Sequence, residues 1–83
     1  MTTKNIIVRK ESGLHARPGS DLVNLAITFK SDIYLIKGDK RVNAKEVLEI
    51  LSADINFNDE IIIEVNGEDE NEALKALEEY IGN

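Results

Sequence analysis

The segment Glu60–Val65 constrains the fold of this chain more than any other, because it is the most β-branched run in the sequence. It contains three consecutive isoleucines, Ile61–Ile63, and the dipeptide Asn66-Gly67 follows it directly. β-Branched residues favour extended strands, and Asn-Gly is a strong turn signal. The pattern therefore predicts a strand that ends at this turn and lies near the centre of a sheet.

Three more strands are predicted from short β-prone runs. One covers residues 3–9 and closes at Glu11-Ser12-Gly13, as expected of a strand that enters a turn. The runs 33–36 and 41–43 lie on either side of the turn residues 37–40, which predicts a hairpin.

Three helices are predicted from apolar residues spaced at helical intervals. The first covers about residues 16–28, and the last runs to the end of the chain behind a capping-box pattern, Asp69 with Glu72. Their apolar stripes are Leu22, Leu25, Ala26 and Phe29 in the first helix, and Leu74, Leu77 and Ile81 in the last.

The middle helix is predicted to be short. Asn43 and Glu46 have the spacing of a capping box, although Asn in place of Ser or Thr makes it an imperfect one. The apolar residues behind it offer more surface than a short helix can bury: Val47, Leu48, Ile50 and Leu51. Because the other three form one stripe, Leu48 is predicted to be exposed.

The element order β-α-β-β-α-β-α predicts the fold class. It indicates an α+β open-faced sandwich, in which helices cover one face of an antiparallel or mixed sheet. A length of 83 residues leaves room for one core, so residues 1–83 are predicted to form a single domain.

Composition excludes several classes of function. The chain has no cysteine and one histidine, so we expect no disulfide, no thiol nucleophile, no metal site and no cofactor. A net charge of −6 argues against nucleic acid and favours protein partners. The longest apolar runs fall far short of the ~20 residues that span a membrane, so we expect a cytoplasmic protein. Nothing in the pattern requires a symmetric interface, so we also expect a monomer.

The stretch Gly13–Ser20 contains the only histidine and the only proline of the chain. Pro18 suits the first turn of a helix, where its missing N–H has no partner to lose. His15 would then lie beside free backbone N–H groups, such as those of Ala16 and Arg17, at the positive end of the helix dipole. Such a position suits an anionic group such as phosphate. The Ser20 hydroxyl could bind phosphate or cap the local backbone.

The string Gly13-Leu14-His15-Ala16-Arg17-Pro18 resembles the active-centre signature of the HPr family, the histidine-containing phosphocarriers of the bacterial sugar phosphotransferase system. The resemblance covers nearly the whole chain and implies a four-stranded antiparallel sheet covered on one face by three helices. It implies that Nδ1 of His15 accepts a phosphoryl group from phosphorylated enzyme I, charged by phosphoenolpyruvate, and passes it to enzyme IIA domains, with Arg17 as the nearby cation. The chain would be a carrier and not an enzyme.

The chain departs from this family at three places. Glu46 stands where many Gram-positive members carry a serine that a kinase phosphorylates; it could cap the middle helix, imitate phosphoserine and weaken docking to enzyme I, or both. Gly19 replaces a common alanine, which predicts a looser first turn, since Gly costs about 0.5–1 kcal/mol there. The partner surface, where the family often has exposed Met and Ile, carries Val47, Leu48 and Leu51 in this chain. Docking is expected at these residues and Ser20, although Val47 and Leu51 could equally be core.

The sequence supports a second function from another class. The chain could be a regulatory module that transfers no phosphate and binds a transcriptional regulator or a metabolic enzyme, with Glu46 as a permanent signal. Retention of His15 and Arg17 favours the carrier, and Glu46 favours the regulator. A structural adaptor without phosphate chemistry would leave the Gly13–Pro18 string unexplained.

Overall fold

The computed structural model describes residues 1–82 and confirms the predicted order of elements. The strands and helices, in chain order, are β1 (Thr2–Ile7), α1 (Ala16–Ile27), β2 (Asp32–Lys37), β3 (Lys40–Asn43), α2 (Val47–Ser52), β4 (Glu60–Asn66) and α3 (Glu70–Gly82). The predicted open-faced sandwich is confirmed: three helices cover one face of a four-stranded sheet.

The sheet has the strand order β1-β4-β2-β3, and every neighbouring pair is antiparallel. β4 pairs with β1 on one side, where Ile61 lies opposite Ile6, and with β2 on the other, where Val65 lies opposite Ile33. The prediction that β4 is central is therefore confirmed. Because β1 and β2 both flank β4, the chain from β1 must cross the sheet through α1 before it returns as β2.

The core lies between the sheet and the helices. Along β4, Ile61, Ile63 and Val65 are buried, while Ile62 and Glu64 are half-buried on the opposite, open face. This alternation is the period of two that a strand imposes on its side chains. The helices supply the other half of the core with the buried side chains Leu22, Val23, Ala26, Ile50, Ala73, Leu77 and Ile81.

The capping box predicted for the middle helix is wrong. α2 begins at Val47, so Glu46 is its N-cap residue and makes no side-chain capping bond. The Glu46 N–H donates to the Asn43 carbonyl oxygen (3.1 Å) and closes a turn. The helix therefore begins three residues later than predicted. The carboxylate that reaches the Asn43 N–H is consequently that of Glu49, at 2.9 Å.

The Asp69 side chain, predicted to form a capping box with Glu72, instead binds the segment before β2. The Asp69 carboxylate accepts hydrogen bonds from the N–H groups of Lys30 (2.8 Å) and Ser31 (2.9 Å) and from the Ser31 hydroxyl. These bonds, that of the Ser31 hydroxyl foremost, lower the pKa of Asp69 to about 2. Asp69 therefore ties the segment before β2 to the beginning of α3.

The first turn of α1 is tightly packed, which corrects the prediction that Gly19 loosens it. Gly19 is buried, and a Cβ atom at this position would lie 2.5 Å from the Leu14 carbonyl oxygen. The Pro18 carbonyl accepts a hydrogen bond from the Tyr80 hydroxyl at 2.9 Å, which joins this turn to α3. Glycine thus allows a close approach of two backbone segments here.

Candidate functional site

His15 is the N-cap residue of α1 and so lies at the start of the first helix, where the sequence predicts it. Its backbone is extended (φ −102°, ψ 157°), its side chain makes no capping bond, and the first turn of α1 contains no acidic residue. The His15 side chain therefore does not occupy the first N–H groups of the helix, including those of Ala16 and Arg17. An anion can bind these groups without displacing a side-chain cap. Ala16 has a φ of +51°, a conformation that costs an L-residue roughly 1–2 kcal/mol.

The loop before β4 brings two polar side chains to His15. Nε2 of His15 lies 2.8 Å from Oδ1 of Asn56 and 3.7 Å from Oδ1 of Asp54. The Asn56 amide nitrogen donates to the Asp54 carbonyl oxygen (3.0 Å) and carboxylate (3.3 Å), so the amide oxygen must face the imidazole.

This arrangement assigns the two nitrogens of the neutral imidazole. An amide oxygen only accepts hydrogen bonds, so Nε2 of His15 must carry the proton that it donates to Asn56. Nδ1 then holds the free lone pair of the ring. The Asp54 carboxylate is close enough to Nε2 to stabilise a positive charge on the ring.

Gly13 and Leu14 hold this loop against the histidine. The Leu14 N–H donates to the Ile55 carbonyl oxygen at 2.9 Å, directly between Asp54 and Asn56. Gly13 has a φ of +69°, and a Cβ atom there would lie only 2.3 Å from the same Ile55 oxygen. Only glycine fits this close approach in this backbone conformation.

Arg17 lies in the first turn of α1, where the sequence predicts it, but its side chain follows the helix surface. The side chain is 88% exposed, and its Nε lies 3.6 Å from Oδ1 of Asp21. Exposed ion pairs of this kind contribute about 0–1 kcal/mol. The guanidinium is therefore free to leave Asp21 for a stronger anion near His15.

The α2 surface, defined as Val47, Leu48 and Leu51, is exposed. Leu48 is 78% exposed, which confirms its prediction, whereas Ile50 is buried. Val47 and Leu51 are each 37% exposed, so neither is core. A Cβ atom on Gly19 would lie 3.2 Å from Leu51, which places this apolar surface directly beside the first turns of α1.

The remaining predicted residues are exposed on α1 and immediately before α2. Ser20 is exposed on α1, and Glu46 is exposed immediately before α2. Phe57, which is 46% exposed, adds an apolar side chain on the loop that carries Asn56.

Asn56 and Asp54 are site residues that sequence reasoning missed. Their segment is rich in Asn and Asp, which indicates a loop but not the direction of its side chains. The contact with His15 joins residues 41 positions apart. Within residues 1–82 no group of three or more His, Asp or Glu side chains is arranged to hold a metal ion, and no helix is long and apolar enough to cross a membrane.

An open-faced sandwich that presents a free imidazole nitrogen at the N-terminus of its first helix defines a class of small histidine-bearing domains. Within this class, the family model PTS-HPr, described as the PTS HPr component phosphorylation site, matches residues 2–83. The chain therefore belongs to the HPr family of phosphocarriers.

Its relatives are of two kinds. The HPr-like protein Crh of Bacillus subtilis (strain 168) is 38% identical over 81 residues, which cover 98% of this chain and 95% of that protein. A crystal structure of the phosphocarrier protein HPr from Bacillus anthracis str. Ames superimposes with a TM-score of 0.94 at 39% identity, covering 96% of this chain and 95% of that one. A crystal structure of Crh, described as a dimer with a swapped domain, has a TM-score of 0.77 at 39% identity and covers 96% of this chain and 92% of that one. Sequence identity alone therefore does not decide whether the chain is more similar to HPr or to Crh.

Proposed function

We propose that this protein is a phosphocarrier that accepts a phosphoryl group on Nδ1 of His15 from phosphorylated enzyme I and passes it to enzyme IIA domains. The observation that carries the proposal is the hydrogen bond from Nε2 of His15 to Asn56, which leaves the Nδ1 lone pair free. That nitrogen belongs to the N-cap residue of α1, beside uncapped backbone N–H groups that favour phosphate.

The transfer step follows from this geometry. The Nδ1 lone pair of His15 attacks phosphorus, the bond from phosphorus to the donor's histidine nitrogen breaks, and the donor imidazole keeps the electron pair. The proton on Nε2 stays in place, so the His15 ring becomes an imidazolium that faces Asp54 and Asn56. The phosphoryl oxygens meet the N–H groups of Ala16 and Arg17 and the Arg17 guanidinium.

The retained Nε2 proton also serves the second transfer. When an acceptor on a IIA domain attacks phosphorus, a protonated ring leaves as neutral imidazole, which is a better leaving group than an imidazolate. Asp54 and Asn56 thus assist both loading and release.

Partner proteins would dock on the α2 surface together with Ser20. This surface is exposed, apolar and adjacent to the first turns of α1, so a partner bound there places its own phosphoryl site near His15. Exposed apolar patches of this kind are typical of interaction sites. The function requires only one copy of the chain, and the cytoplasmic partners imply a cytoplasmic protein.

Phosphorylation by enzyme I with labelled phosphoenolpyruvate tests the carrier function. We expect acid-labile, base-stable label at one phosphoryl group per chain, which His15→Ala abolishes, and transfer of the label to a IIA domain. Asp21→Asn is the matched control on the same helix and should retain the label. Wild-type protein that takes up no label would refute the proposal.

Glu46 supports a second candidate function, a regulatory module that binds a transcriptional regulator or a metabolic enzyme without phosphoryl transfer. The Glu46 side chain makes no capping bond and is exposed beside the α2 surface, so its carboxylate is available to a partner. Its single charge is smaller than the roughly −1.5 to −2 of a phosphate. Two results together would favour this function over the carrier. Enzyme I would leave the protein unlabelled, and a transcriptional regulator would pull down the wild type but not Glu46→Gln.

A further inference from the structure

Lys37, the last residue of β2, contacts the loop that carries Asn56. Its side chain is only 30% exposed, and its ammonium group lies 2.8 Å from Oδ2 of Asp59. The same ammonium group donates a hydrogen bond to the Asp54 carbonyl oxygen. One side chain from the sheet therefore contacts the loop at two points, one on either side of Asn56.

Asp59 transmits this contact to Asn56. Its Oδ2 atom, which Lys37 approaches, also accepts the backbone N–H of Asn56 at 2.7 Å. The Lys37 ammonium first, and the Asn56 N–H second, lower the pKa of Asp59, so the carboxylate is ionised and both contacts are charge-assisted. Polar contacts thus join Lys37 to Asp59, Asp59 to Asn56, and Asn56 to Nε2 of His15.

The loop needs such support because its backbone is unfavourable. Asp54 has a φ of +54° and Asn58 a φ of +73°, two left-handed conformations in residues other than glycine. Asn and Asp tolerate this region better than other L-residues, but each still prefers to leave it. Lys37 acts beside the bond from the Leu14 N–H to Ile55, and its loss removes two of the contacts that keep Asn56 on the imidazole.

We propose that Lys37 is a positioning residue that directs phosphoryl transfer to Nδ1 of His15, because it holds Asn56 on Nε2. The proposal deepens the carrier function and rests on it. It assigns a role in the choice of acceptor nitrogen to a residue that lies in neither the histidine motif nor the α2 surface.

Phosphoramidate, a small phosphoryl donor that needs no partner protein, tests the proposal directly. An imidazole nitrogen of His15 attacks its phosphorus, the P–N bond breaks and ammonia leaves. Nuclear magnetic resonance of ¹⁵N-histidine-labelled protein then measures the share of phosphate on Nδ1 and on Nε2. In the wild type we expect phosphate on Nδ1, because Asn56 blocks Nε2.

Two variants and a matched control separate the role of Lys37 from a general effect of charge. Lys37→Met keeps the length of the side chain without its charge, and Asn56→Leu removes the amide oxygen itself. Both should raise the ratio of Nε2 to Nδ1 product by about threefold to tenfold, the change expected for loss of one hydrogen bond. Lys40→Met, on the other strand of the same hairpin, should leave the ratio at the wild-type value, and Lys37→Arg should restore it.

A Lys37→Met protein with the wild-type ratio would overturn the proposal, and so would an equal change in Lys40→Met. Urea unfolding establishes that each variant is folded, and Lys37→Gln replaces Lys37→Met if the latter unfolds, with the same expected change. Phosphoramidate also separates the two proposals. If enzyme I does not label the wild type while Lys37 still controls the nitrogen, the carrier function fails and the positioning role stands.

Discussion

Replacing Gly13 with alanine perturbs the contact that holds the site loop against the histidine. The new Cβ atom would lie 2.3 Å from the Ile55 carbonyl oxygen and 2.9 Å from Cα of Asn56. An ordinary contact begins at 3.4 Å, so the loop must move by about 1 Å. Because the same loop carries Asn56, the imidazole of His15 loses its partner as the loop moves.

Gly38→Ala is a matched control for this change. Gly38 has a φ of +61°, close to the +69° of Gly13, but a Cβ atom on Gly38 would meet nothing within 4 Å. Both variants therefore lose roughly 1–2 kcal/mol to the left-handed backbone. Gly13→Ala alone adds the overpacking term of about 1–3 kcal/mol. The total loss in free energy of unfolding is then about 2–5 kcal/mol for Gly13→Ala.

Urea and thermal unfolding measure this difference. In a domain of this size, 1 kcal/mol shifts the melting temperature by about 4–8 °C, so Gly13→Ala should melt at least about 4 °C below Gly38→Ala. Initial rates of phosphorylation by enzyme I should fall for Gly13→Ala and stay at the wild-type value for Gly38→Ala. Equal stability and equal rates in the two variants would refute the assigned contact.

Three further predictions, made with four substitutions, test other parts of the structure. Leu48→Ala should change the free energy of unfolding by less than about 0.5 kcal/mol, whereas Ile50→Ala should cost about 2–5 kcal/mol; an unchanged Kd for enzyme I in Leu48→Ala, measured by calorimetry, would contradict the docking surface. Asp69→Asn should lower the melting temperature at pH 7, and because folding lowers the pKa of Asp69 to about 2, the difference from the wild type should disappear as the pH falls from about 4 to 2. Glu46→Ser should accept phosphate from enzyme I faster than the wild type if the carboxylate weakens docking, and equal or slower transfer would count against that role.

The fold was predictable because its signals are local. The isoleucines of β4 form one uninterrupted β-branched run that ends at a turn, and the stripes of α1 and α3 repeat at helical spacing, so each element is encoded within a few consecutive residues. The predicted central place of β4 followed from its unusually β-branched composition. The exposure of Leu48 likewise followed from the positions of its neighbours on one short helix.

The parts that prediction missed depend on contacts between distant segments. The spacing of Asn43 and Glu46 suggested a capping box. A turn makes α2 begin later, so the carboxylate that accepts the Asn43 N–H is that of Glu49. Asn56 reaches His15 only because the whole sheet brings their loops together. Helical periodicity and turn propensity carry no information about such pairs, which have no local pattern.

The central place of β4 has a consequence for how the chain folds. Ile6 of β1 pairs with Ile61 of β4, so β1 has no strand partner until β4, the last strand, has been synthesised. Of the three strand pairings, only the β2–β3 hairpin joins segments close in sequence. Long-range pairings of this kind slow folding, because the loop between the strands must be closed before they gain any contact. The loop that carries Asp54 and Asn56 directly precedes β4, so the sheet and the surroundings of His15 both depend on the long-range pairing of this one strand.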